Sequence, residues 1–125
     1  MGTAYDYGHE TDDEIAKRHM HRELQTWLEH LEAINKEADR LAKIASNKIG
    51  DRDLRDELLD DINENINLLN EFYTYRNLLN NIRECDDLDC DHFYMYHHDQ
   101  VFDKYIERIT QYRSVKDRVY QKLLE

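Results

Sequence analysis

Along residues 20–45 the apolar positions fall at Met20, Leu24, Trp27, Leu31, Ile34, Ala38, Leu41 and Ala45, in steps that alternate between four and three. That spacing keeps one stripe of a helix turned toward partner helices along its whole length. The helix is predicted to start at Thr11. In Thr11-Asp12-Asp13-Glu14 the threonine hydroxyl can accept from the Glu14 amide, and the acidic residues suit the positive end of the helix dipole. Lys43 and Lys48 favour a C-terminus, and Gly50 suits the left-handed position that follows. A helix of this length is roughly 55 Å long and must pack lengthwise against others.

A second amphipathic run follows. Asp51 or Asp53 is its expected N-cap, and its apolar residues are Leu54, Leu58, Leu59, Ile62, Ile66, Leu69, Phe72, Tyr73, Leu79 and Ile82. Their spacing drifts between heptad and eleven-residue periods, so a straighter helix is expected. Asn63, Asn67, Asn70, Asn77 and Asn81 share another stripe, read as a solvated face, while Asn65 and Arg76 fall on or near the buried one. The third run carries Met95, His98, Phe102, Tyr105, Ile109, Tyr112, Lys116, Val119 and Leu123, widened by Val101, Ile106 and Val115. Its N-cap is expected between Asp87 and Asp91.

The expected fold is therefore all-α: an up-down-up antiparallel three-helix bundle with coiled-coil-like heptad packing, its helices covering about 11–49, 52–84 and 89–124. Residues 1–10, MGTAYDYGHE, have no period and are expected to form a flexible lead-in to a single domain. Composition agrees. The chain has no proline and three glycines, which a loop-rich or β-sandwich fold could not spare.

The formal net charge of −11 repels polyphosphate and argues against direct nucleic-acid binding. It leaves open an acidic mimic of nucleic acid that blocks a basic protein. No apolar run reaches membrane-spanning length, so no membrane contact and a cytoplasmic location are expected. Cys85 and Cys90, the only cysteines, fit reduced thiols better than a disulfide framework.

Antiparallel registration places Met20, Ile82 and Met95 at one height. His9, His19, His21, His92, His97 and His98 then gather at one pole with both cysteines. Histidine, thiolate and carboxylate form the ligand set of zinc or another divalent metal, so Cys85, Cys90, His92, His98 and His21 are the candidate metal ligands. The sequence calls for no cofactor otherwise. Glu-x-x-His di-iron motifs, phosphate-cradling glycine loops and nucleophile elbows are absent, so no enzymatic activity is expected.

The favoured expectation is a bundle acting through protein–protein contact, with a protein partner or by self-association. Tyrosine gives a large contact area at small entropic cost, and Leu28 and Leu68 widen the stripes beyond a narrow seam. Tyr75, Tyr94, Tyr96, Leu28 and Leu68 are accordingly the candidate interaction residues. The same registration sets Trp27 level with Arg76 and predicts that the two stack.

Overall fold

The structure is a computed structural model and describes residues 11–82 and 87–125. The predicted lead-in over residues 1–10 lies outside the described residues, as does Cys85. The fold is all-α, with three long helices: α1 (Asp12–Ile44), α2 (Arg52–Leu79) and α3 (Leu88–Leu124). There is no strand among the described residues.

Each helix begins where a short acceptor side chain can satisfy a free amide. Thr11 Oγ1 accepts from Glu14 N at 3.1 Å, Asp51 Oδ1 from Leu54 N at 3.0 Å and Asp87 Oδ1 from Cys90 N at 2.7 Å. The far end of α1 departs from the prediction. It runs on through one π-helical turn, Ala45–Ile49, before Gly50 takes the left-handed conformation at φ 73°. The widened turn lets the Ala45 carbonyl accept from Asp51 N at 2.9 Å, which ties the bend to the start of α2. The second helix ends at Leu79, short of the expected residue 84.

The whole predicted seam of α1 is buried. On α2 the buried seam runs through Leu54, Leu58, Asp61, Asn65, Leu68, Phe72, Tyr75 and Leu79, again in steps of four and three, with Leu69 buried beside it. The predicted drift in period is thus corrected. Asp61 and Asn65 occupy seam positions, whereas Leu59 and Ile66, expected on the buried stripe, are exposed. On α3 the same spacing runs through Tyr94, His98, Val101, Tyr105, Arg108, Tyr112, Val115 and Val119. Met95, Phe102, Lys116 and Leu123 sit beside this seam rather than on it. The five asparagines of the predicted solvated stripe are all exposed, four on α2 and Asn81 just beyond its end.

Ion pairs between carboxylates of α2 and its N-cap and cations of α3 mark their alignment. Glu71 meets Lys104, Glu64 and Asp61 meet Arg108, Glu57 meets Arg118 and Asp51 meets Lys122, so numbers on α2 fall as those on α3 rise. Between α1 and α3 they rise together: Lys17 with Asp91, His30 with Tyr105, and Glu37 with Tyr112 and Lys116.

Candidate functional site

At the pole where α1 and α3 begin, a groove of about 260 Å³ is lined by Met20, Ile82, Met95 and His98 together with Asp13, Glu23, Asp91 and Asp99. Met20, Ile82 and Met95 therefore do share one height. His98 forms the floor. It is 7% exposed, and its ring packs against Trp27 with centroids 4.9 Å apart and planes tilted by 30°. Its Nδ1 lies 2.7 Å from the Tyr75 hydroxyl. Its Nε2 lies 3.7 Å from Glu23 Oε1, too far for a hydrogen bond, and has no partner of its own. The tautomer protonated at Nε2 suits both neighbours, because Tyr75 can then donate to Nδ1 while the N–H points toward the carboxylate.

Burial dominates the electrostatics here. It holds His98 below the ordinary histidine value, against the opposing pull of Glu23 and Asp99. It also pushes the Tyr75 phenol far up, so that tyrosine stays protonated. His98 Nε2 is itself buried, so the His98–Tyr75 pair is enclosed among aromatic rings rather than open to the groove.

A second polar layer crosses the middle of the bundle. Arg108 of α3, 6% exposed, bonds Asp61, Glu64 and Gln111. Burial raises the Asp61 carboxyl above the usual carboxylate range, despite the lowering effect of Arg108. One turn along α2, Asn65 is fully buried, and neither its Oδ1 nor its Nδ2 has a partner. Sequence reasoning placed Asn65 near the core and missed Asp61 and Arg108. Their signal was positional: both continue a four-and-three spacing that apolarity alone does not follow.

Cys85 lies outside the described residues, and among the described ones the predicted metal ligands do not come together. His98 is occupied at Nδ1 by Tyr75, His92 is exposed, and His21 is half-buried on α1 with interactions of its own. Cys90 is disulfide-bonded, which corrects the expected reduced thiol and removes it as a thiolate ligand. Among the described residues no group of three or more His, Cys, Asp or Glu side chains is placed to hold a metal ion.

The interaction residues need correction too. Leu28, Leu68, Tyr75 and Tyr94 are buried in the core, because the three seams close on one another and use those side chains; only Tyr96 is exposed. Trp27 does not stack on Arg76. It packs against Phe72, His98, Phe102 and Tyr105, while Arg76 is exposed and lies over the Tyr73 ring at 5.1 Å. The height was right, since Phe72 is one turn from Arg76, but Arg76 points away from the seam.

The apolar surface left over is unevenly shared. Of the eleven large apolar side chains exposed among the described residues, Leu59 and Ile66 lie on α2, the other nine on α3 and none on α1. No described helix is long and apolar enough to cross a membrane. No family model matches the chain, and no curated protein or solved structure matches it either.

Proposed function

We propose that the protein is a non-catalytic contact module, an up-down-up antiparallel bundle with coiled-coil-like packing whose outer α3 face binds protein. The observation that carries this reading is the concentration of exposed apolar side chains on one helix. The core seam of α3 runs through other residues and leaves Ile106 and Tyr120 at the surface, with the outer parts of Met95 and Phe102 exposed beside them. Large apolar residues grouped on one face are the usual mark of a contact site. The exposed asparagines of α2 supply the contrast, a polar face suited to water.

Capture from the native host tests this. The wild-type chain is expected to retain a protein, either another copy or a foreign partner. Phe102→Asp with Ile106→Asp should lose it, and Asn67→Asp should not. Retention by the double variant, or equal loss in the asparagine control, would contradict the reading.

A further inference from the structure

The charges of α3 and its N-cap are sorted along the helix. From Asp87 to Asp103 there are five aspartates and no lysine or arginine, whereas from Lys104 to Glu125 there are six cations and three acidic side chains. Five of those cations, Lys104, Arg108, Lys116, Arg118 and Lys122, already bond carboxylates of α1, α2 or the α2 N-cap. The aspartates of the first half are not balanced in this way. Asp91 shares Lys17 with Asp13, at 3.4 and 2.8 Å. Among the described residues no lysine or arginine pairs with Asp99, or with Glu23 on the α1 wall of the groove. The helix dipole accounts for acidic residues in the first turn, but Asp99 and Asp103 lie beyond its reach.

The same stretch is apolar on its outer side. Between residues 88 and 106, the positions within about 40° of the direction of Ile106 are Leu88, His92, Met95, Asp99, Phe102 and Ile106, at 100° per residue. All six are exposed, and four are large and apolar. Met95 and Asp99 also line the groove of about 260 Å³, across from Met20 and Glu23 of α1. Phe102 leans on Trp27 of α1, with centroids 5.4 Å apart. The strip therefore borders the groove between α1 and α3 and extends it over roughly 27 Å of helix.

We propose that this groove and strip dock a cationic amphipathic helix of a foreign protein. The inference rests on the contact reading above and names the chemistry of the partner. Leu88, Met95 and Phe102 recur every seven residues, the spacing at which a helix lying alongside presents one apolar face. Lysines or arginines flanking that face meet Glu23, Asp99 and Asp103. About 18 residues of partner helix cover the strip. Opposite signs across a docking face speed encounter and reject wrong partners. An acidic helix is repelled, and a second copy of this chain brings a further net charge of −11.

The test titrates the full chain, at physiological ionic strength, into three labelled peptides of about 18 residues, the length that spans the strip. One is an amphipathic helix of leucine and lysine, the second its leucine–glutamate counterpart, and the third the lysine peptide with serine in place of leucine. Fluorescence anisotropy should show the leucine–lysine peptide binding at least about tenfold more tightly than either control, and less tightly as salt rises. Glu23→Gln with Asp99→Asn should weaken that binding by about tenfold, as should Leu88→Gln with Met95→Gln. Glu29→Gln with Asp60→Asn removes the same charge from exposed positions off the groove and should change little. Circular dichroism confirms that each variant is folded, as expected at exposed positions.

Equal binding of the acidic peptide would overturn the inference, as would equal loss in the groove variant and the charge control. A chain that sediments as a dimer and excludes the peptide would overturn it too, because a second copy then occupies the face. Suppose the leucine–lysine peptide does not bind, yet Phe102→Asp with Ile106→Asp still abolishes capture of a host protein. The basic-helix inference then falls and the contact function stands; if capture is also unaffected, both fall.

Discussion

His98 of α3 and Tyr75 of α2 face each other across the core, with Nδ1 and the hydroxyl 2.7 Å apart and the imidazole laid against Trp27 of α1. All three helices thus meet at one titratable ring, and the ring is neutral because burial disfavours its cation.

That arrangement makes stability depend on pH in a defined direction. The folded-state value of His98 is lowered from 6.5, so the unfolded chain takes up the proton first as the pH falls. The stabilising contribution is complete above about 6.5 and is lost as the pH drops through that value toward the lower folded one, by up to about 1.4 kcal/mol per pH unit. Urea unfolding across this range should show the decline, and His98→Phe should flatten it. An unchanged slope in His98→Phe would assign the dependence elsewhere.

Arg108 and Asp61 should behave as a pair whose halves cannot be removed singly. Arg108→Met leaves a buried carboxylate without its counter-ion and is expected to cost about 3–5 kcal/mol. Asp61→Leu combined with Arg108→Met should recover most of that loss, since an apolar pair needs no compensating charge. A double variant as unstable as the single one would show that Arg108 acts mainly through Glu64 and Gln111.

Asn65 is expected to weaken the bundle. Both of its side-chain polar atoms are buried and unpartnered, a penalty of about 1–3 kcal/mol for each group so placed. Asn65→Leu, which keeps the branching and heavy-atom count but removes the polar atoms, should therefore raise the midpoint of denaturant unfolding. A lower midpoint would mean that the amide is satisfied in solution by a bound water.

At Gly50 a methyl group would meet nothing within 4 Å, so the cost of Gly50→Ala comes from the backbone alone. The left-handed conformation should make it about 1–2 kcal/mol. Gly50→Asn, better tolerated in that conformation, should cost less. Equal costs would argue against a conformational origin.

These positions also show what the sequence could convey. The caps at Thr11, Asp51 and Asp87 and the bend at Gly50 were legible because they depend on neighbours in the chain. The α1 seam was legible because apolar residues fill it. On α2 and α3 the seams pass through Asp61, Asn65 and Arg108, and following hydrophobicity there leads to Leu59, Ile66, Met95 and Phe102, each beside the buried line. Nothing local signals the π-helical turn. The heights of residues at the pole were readable from helix length, whereas their direction was not. Trp27 therefore met Phe72 and His98 instead of Arg76, and the described histidines of the pole form no metal-binding group. Tyr75 and Tyr94 looked like surface residues because tyrosine suits both settings, and only the closed seams place them inside.

The contact role of α3 is tested most directly by a photoreactive side chain placed at Ile106 and, in a second variant, at Asn67, each irradiated in the native host. The Ile106 probe is expected to form a discrete protein adduct, and the Asn67 probe, on the solvated face, is not. No adduct at Ile106, or equal labelling at the two positions, would contradict the claim that the outer face of α3 is where this protein meets its partner.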